Sequence, residues 1–68
     1  VIEMNLLVNG EEHQLEVKNL TELIQYYKLE PQLVVVELNG VIIEREKWEE
    51  TVLEENNEIE LVHFVGGG

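Results

Sequence analysis

The chain has no cysteine, no serine and no aspartate among its 68 residues, a single proline, and only four basic side chains. Without cysteine it can build neither a disulfide framework nor a thiolate metal site. The usual nucleophiles are missing, which leaves only Thr21 and Thr51, neither next to a plausible base. His13 and His63 lie far apart and fit no ligand spacing such as His-Glu-x-x-His. The pairs Glu11-Glu12, Glu49-Glu50 and Glu54-Glu55 read as solvated surface rather than as acid–base dyads. No catalytic residue and no metal ligand is therefore assigned, and an enzyme is the least favoured class.

Scarce positive charge excludes a second class. Fifteen acidic residues against four basic ones give a formal net charge of −11, so nucleic acid is not an expected partner, because binding its phosphates needs a positive surface. Such a domain is steered towards basic protein surfaces, with an on-rate that falls as salt rises, and the charge keeps the free chain soluble and monomeric. No stretch is long enough to span a bilayer, and no signal peptide is evident. The expectation is a cytoplasmic protein with no membrane contact. A chain of this length holds one small domain, which buries about 60% of its unfolded surface.

What is present is strongly patterned. Met4, Leu6 and Val8 alternate with Asn5, Leu7 and Asn9, the signature of a half-buried strand. Asn9-Gly10 supplies a two-residue turn of the type that needs positive φ at both positions, and Leu15 and Val17 mark the returning strand. Asn19 is placed to cap a helix, with Glu22 three residues on completing a variant of the capping box. Leu20, Leu23, Ile24 and Tyr27 fall at helical spacing, and Pro31 blocks continuation. Leu33 to Leu38, nearly all apolar and β-branched, reads as a central strand. Asn39-Gly40 turns the chain again into Val41-Ile42-Ile43. A short helical turn around Trp48, a surface turn over residues 54–57 and a last strand from Ile59 to Val65 complete the order.

This order predicts an α+β fold: a mixed sheet of four to five strands with one main helix on one face. It is the β-grasp, or ubiquitin-like, arrangement over a single domain of residues 1–65. Met4 reads as the natural start, with Val1-Ile2-Glu3 as extra residues or the product of a different start codon. Gly66, Gly67 and Gly68 then form a flexible tail. Three glycines extend at most about 10 Å, and without side chains they thread a tunnel too narrow for other residues.

The chain resembles the ThiS-type sulfur carrier proteins of thiamin thiazole biosynthesis from Met4 to Gly68. The resemblance rests on Met4-Asn5-Leu6-Leu7-Val8-Asn9-Gly10, Leu38-Asn39-Gly40, Arg45-x-x-Trp48 and Val62-x-x-Val65-Gly66-Gly67-Gly68. It departs at Glu44, where the family often has proline. The resemblance implies that a ThiF-type activating enzyme, using ATP and Mg²⁺, adenylates the Gly68 carboxylate. Conversion to a thiocarboxylate follows, and sulfur passes to a ThiG-type thiazole synthase. No cofactor would be bound by the chain itself, which acts as a substrate of its partners.

Strand parity sets Val62 and Phe64 opposite Ile59 and Leu61, on an open face suited to docking; a bulge near the strand end would instead turn Phe64 into the core. Leu7 is a weaker candidate for the same patch. Trp48 is expected to pack under the second hairpin, and the side chain of Arg45 to hold a turn through a carboxylate or backbone carbonyls, the alternative being that it reaches an acidic group of a partner. The alternatives are a carrier of the same chemistry for molybdopterin or for cysteine or methionine synthesis, and a ubiquitin-like protein-binding module.

Overall fold

Alternation and turn chemistry build the first hairpin as expected. The computed structural model describes residues 3–64. Strand β1 (Met4–Val8) pairs antiparallel with β2 (Glu11–Leu15). Between them Asn9 and Gly10 both take positive φ, 51° and 81°, the pair a type I′ turn requires. A Cβ added at Gly10 would meet nothing within 4 Å, so the demand there is for backbone conformation and not for space.

Helix α1 (Leu20–Tyr26) starts at a cap. Oδ1 of Asn19 accepts the Glu22 N–H at 2.8 Å, and Oε1 of Glu22 accepts the Lys18 N–H at 2.8 Å. The reciprocal bond thus reaches one residue further back than in the usual capping box. The helix start is also tied to the far segment, since Asn19 bridges to Val52 and the Lys18 carbonyl accepts the Leu53 N–H at 2.9 Å. Seven residues make too short a helix to stand alone in water. Burial of Leu20, Leu23 and Ile24 against the sheet holds it in place, each contributing about 1.5–3 kcal/mol relative to exposure.

The helix stops before Pro31 is reached. Lys28 adopts φ 57°, its N–H donates to the Gln25 carbonyl at 3.0 Å, and the Leu29 N–H donates to Ile24 at 3.1 Å. This is a Schellman ending with lysine in the position usually held by glycine. Pro31 instead opens a short 3₁₀ turn, Pro31–Leu33.

Strand β3 (Val34–Leu38) then leads through Asn39 and Gly40, φ 51° and 86°, into the two-residue β4 (Val41–Ile42). Glu44 opens the 3₁₀ turn Arg45–Lys47 with φ −66° and ψ 148°. That φ is the one proline would impose, so glutamate at this position leaves the backbone path unchanged. Trp48 follows, 4% exposed, and its indole N–H donates to the Ile43 carbonyl at 2.9 Å. It packs behind the second hairpin, as expected.

Strand β5 (Glu58–His63) completes a five-stranded sheet in the order β2-β1-β5-β3-β4. β1 and β5 run parallel, and the other neighbours are antiparallel. The architecture is the β-grasp. One expectation needs correcting: the central strand is β5, and β3 lies beside the short edge strand β4. The apolar richness of β3 reflects a different position, with Val34 and Val36 in the core and Val35 on the other face. The core between sheet and helix gathers Leu6, Val8, Leu15, Leu23, Val36 and Ile59, closed at one end by Trp48 and Leu53.

Candidate docking face and tail exit

The last strand carries the features that matter for a tail-bearing domain. Ile59 is fully buried and Leu61 packs against the core. The intervening Glu58, Glu60 and Val62, with Phe64 beyond the strand, point to the open side of the sheet, following the period of two. Val62 is 49% exposed and Phe64 55% exposed. No bulge intervenes, because the β3–β5 register runs unbroken from Val34↔His63 to Leu38↔Ile59. Parity therefore holds to the end, and Phe64 faces solvent. Its N–H donates to the Leu33 carbonyl at 2.7 Å, which ties the chain to the β3 side as far as Phe64. Val65, Gly66, Gly67 and Gly68, the tail residues singled out in the sequence, lie outside the described residues, as do Val1 and Ile2.

The open face is divided along its length. Val62 stands opposite Val35, which with Phe64 makes an apolar end next to the tail. Further down, Glu60 stands opposite Glu37, and Glu37 stands opposite Ile42, itself 62% exposed. Leu7 shares the face but sits between Glu12 and Glu58 as register partners. Four residues of strand, roughly 13 Å, separate Glu58 from Val62. The structure therefore brings Val62 and Phe64 together and leaves Leu7 apart, in an acidic setting. Val35, Glu37 and Ile42 were not singled out from sequence, since their place depends on which strand pairs with which.

Both Asn-Gly turns reach β5. The Asn39 N–H donates to the Glu58 carbonyl at 2.7 Å, and its Oδ1 accepts the Glu58 N–H at 2.8 Å. Likewise the Asn9 N–H donates to the Ile59 carbonyl at 2.9 Å, and its Oδ1 accepts the Leu61 N–H at 2.7 Å. These bonds give the asparagines a role beyond tolerance of positive φ: each turn grips the tail-bearing strand from one flank.

Other candidates fall away from this face. Arg45 is exposed, and its guanidinium has no hydrogen-bond or ion-pair partner among the described residues. The expected turn-holding role of its side chain is therefore not seen; only its backbone carbonyl takes part in the turn, accepting the Trp48 N–H at 3.1 Å. His13 packs edge-on against Tyr27, with ring centroids 6.4 Å apart. Among the described residues no group of three or more His, Cys, Asp or Glu side chains could hold a metal, and no helix is long and apolar enough to cross a membrane. An apolar groove lined by Met4, Val17, Val52 and Leu53 lies at the pole away from Phe64 and contains none of the sequence-predicted site residues.

Comparison with known proteins agrees with this geometry. The sulfur carrier protein ThiS of Bacillus subtilis is 45% identical over 49 residues, spanning 72% of this chain and 74% of that one. A thiazole synthase of Magnetococcus marinus is 38% identical over 66 residues, spanning 96% of this chain but 20% of the synthase. The crystal structure of the thiamine biosynthesis protein ThiS from Geobacter metallireducens superposes with a TM-score of 0.80 at 38% identity, covering 96% of this chain and 100% of that one. The sequence model of the ThiS family matches residues 6–68, a span that takes in the end of β1 from Leu6, the whole of β5 and the last three glycines. Because that match covers most of the chain, this chain belongs to the ThiS family.

Proposed function

We propose that this protein is a sulfur carrier in thiamin biosynthesis, acted on by partner enzymes and catalysing nothing itself. The observation that carries the reading is the continuity of β5 with Val65-Gly66-Gly67-Gly68 in a chain of the ThiS family. The reading requires Gly68 to carry a free α-carboxylate, which would be ionised at neutral pH because its ordinary pKa is about 3.5, on a stalk without side chains. A ThiF-type enzyme holding ATP and Mg²⁺ is the activating partner. One carboxylate oxygen of Gly68 attacks the α-phosphorus of ATP, pyrophosphate leaves, and an acyl adenylate forms. A sulfur nucleophile then attacks the acyl carbon and AMP leaves with the bonding electron pair, so that a thiocarboxylate remains.

Thiazole is the favoured destination of that sulfur. A thiazole synthase that contains a stretch similar to nearly all of this chain supports a ThiG-type acceptor over molybdopterin or amino-acid synthesis. The docking surface in this reading is the apolar end of the open face, Val62 and Phe64 with Val35. The carboxylates of Glu37 and Glu60 beside it favour a partner whose complementary surface is apolar with basic neighbours. Cytoplasmic residence and a monomeric free state belong to the same proposal.

Intact-mass analysis tests the chemistry: the protein is incubated with the activating enzyme, ATP and a sulfide source, then fragmented. Exchange of one oxygen for sulfur located at Gly68 is the expected result, and removal of Gly67-Gly68 abolishes it with the fold unchanged. An unmodified terminus in the presence of active enzyme would leave a ubiquitin-like binding module as the better description. Phe64→Ala tests the surface separately. It is expected to raise KM for the carrier with little change in melting temperature, since the side chain is already more than half exposed.

A further inference from the structure

The two Asn-Gly turns are alike in sequence, dihedral angles and bonding to β5, but they differ in where they grip it. Asn39 holds Glu58, the first residue of the strand, one residue before the first β3 pair at Leu38↔Ile59, and Leu7 of β1 is its register partner on the other flank. Asn9 holds Leu61, beyond the point where β1 has ended. The last register pair on that flank is Val8↔Ile59, and the Asn9 side chain extends the contact two residues further. On the other flank the ladder continues to Val34↔His63 and to the Phe64–Leu33 bond. Past Leu61 the strand is therefore tied along one edge only. The Asn9–Leu61 bond is the last restraint from the other edge before the residues that carry Val62 and Phe64 and lead into the glycines.

We propose that Asn9 is a positioning residue for the C-terminal tail, its side-chain amide oxygen fixing the direction in which β5 leaves the sheet. The proposal rests on the carrier reading. A strand tied at one edge is free to twist about that edge, and the Val62 and Phe64 side chains turn with it. Loss of the restraint lowers the fraction of molecules whose docking face and tail meet the partner together. Apparent affinity falls by that fraction, whereas turnover of the seated complex does not change, because the partner then holds the tail.

The test is adenylation kinetics with a purified ThiF-type enzyme at saturating ATP, followed by pyrophosphate release, alongside amide exchange measured by NMR. Asn9→Gly keeps a Gly-Gly sequence able to form the same turn and removes the side-chain acceptor, with an entropic cost of glycine that Asn39→Gly shares. It is expected to raise KM for the carrier about five-fold with kcat unchanged, on the population argument above, and to speed exchange of the Leu61 amide. Asn9→Asp retains an acceptor and the turn, and is expected to restore KM. Asn39→Gly loses the equivalent bond at Glu58 and serves as the stability-matched control; its KM is expected to stay at the wild-type value despite a similar fall in Tm. A wild-type KM in Asn9→Gly, or an equal rise in Asn39→Gly at equal loss of Tm, overturns the proposal. A wild-type chain that is not adenylated at all overturns the carrier reading first, and this inference with it.

Discussion

Glu37 of β3 and Glu60 of β5 are register partners, so two carboxylates face each other directly across the open side of the central strand pair. Neither has an ion-pair partner among the described residues. Like charges at directly opposed sheet positions destabilise, by a few tenths of a kcal/mol up to about 1. Glu60→Gln is therefore expected to raise the urea midpoint slightly in low salt, and the gain should shrink as added salt screens the wild-type repulsion. The same substitution should slow association with the activating enzyme. A variant that is neither more stable nor slower to associate would mean that the pair is fully screened by water.

Trp48 joins the second hairpin to the core through one directed bond. Trp48→Phe keeps an aromatic ring but leaves the Ile43 carbonyl, which now accepts the indole N–H at 2.9 Å, without its donor. A partly buried acceptor deprived of its partner costs about 1–3 kcal/mol. Denaturation followed by circular dichroism should show a loss of that size. An unchanged midpoint would show that water replaces the indole.

Glu44 occupies a proline conformation without being proline. Its φ is −66°, and its N–H makes no hydrogen bond among the described residues. Ile43 before it donates to the Val36 carbonyl at 2.9 Å, a bond that a proline at position 44 does not remove. Glu44→Pro is thus expected to stabilise by about 0.4–1 kcal/mol, chiefly by narrowing the unfolded ensemble. Destabilisation in a urea titration would contradict this.

Tyr27 has its hydroxyl buried with no partner among the described residues. Burial first, then the neighbouring Tyr26 and Glu11, push its phenol above the ordinary value of 10.0. The folded state therefore favours the neutral phenol more than the unfolded state does. Its contribution is complete below pH 10.0 and is lost as pH rises through the raised folded value. Tyr27→Phe should leave stability at neutral pH unchanged or slightly higher, because no hydrogen bond is lost, and should flatten the alkaline fall in the urea midpoint. An equal alkaline slope in both proteins would assign that fall to other groups.

Features whose cause lies within a few residues were legible in the chain itself. Asn9-Gly10 and Asn39-Gly40 specify positive-φ turns, Asn19 with Glu22 specifies a helix start, and alternation in β1 and β5 separates buried from open faces. Parity alone placed Val62 and Phe64 on the open side, because the strand period is two and no bulge interrupts it. The helix end was less legible: Pro31 is the visible stop signal, but the chain turns earlier at Lys28, whose left-handed conformation has no glycine to announce it.

The tertiary structure decided what depends on pairing between distant segments. That β5 and not β3 is central, that Val35 stands beside Val62, that Glu37 opposes Glu60 and that Leu7 is isolated between Glu12 and Glu58 all follow from strand order. So does the Asn9–Leu61 bond, which joins residues 52 apart. A residue's local pattern sets which face it occupies; only closure of the sheet, driven by burial of those faces against α1, sets its neighbours there. The glycine end and the chemistry it proposes were written in the chain. The surroundings of Val62 and Phe64, among the last described residues before that end, are a property of the assembled sheet.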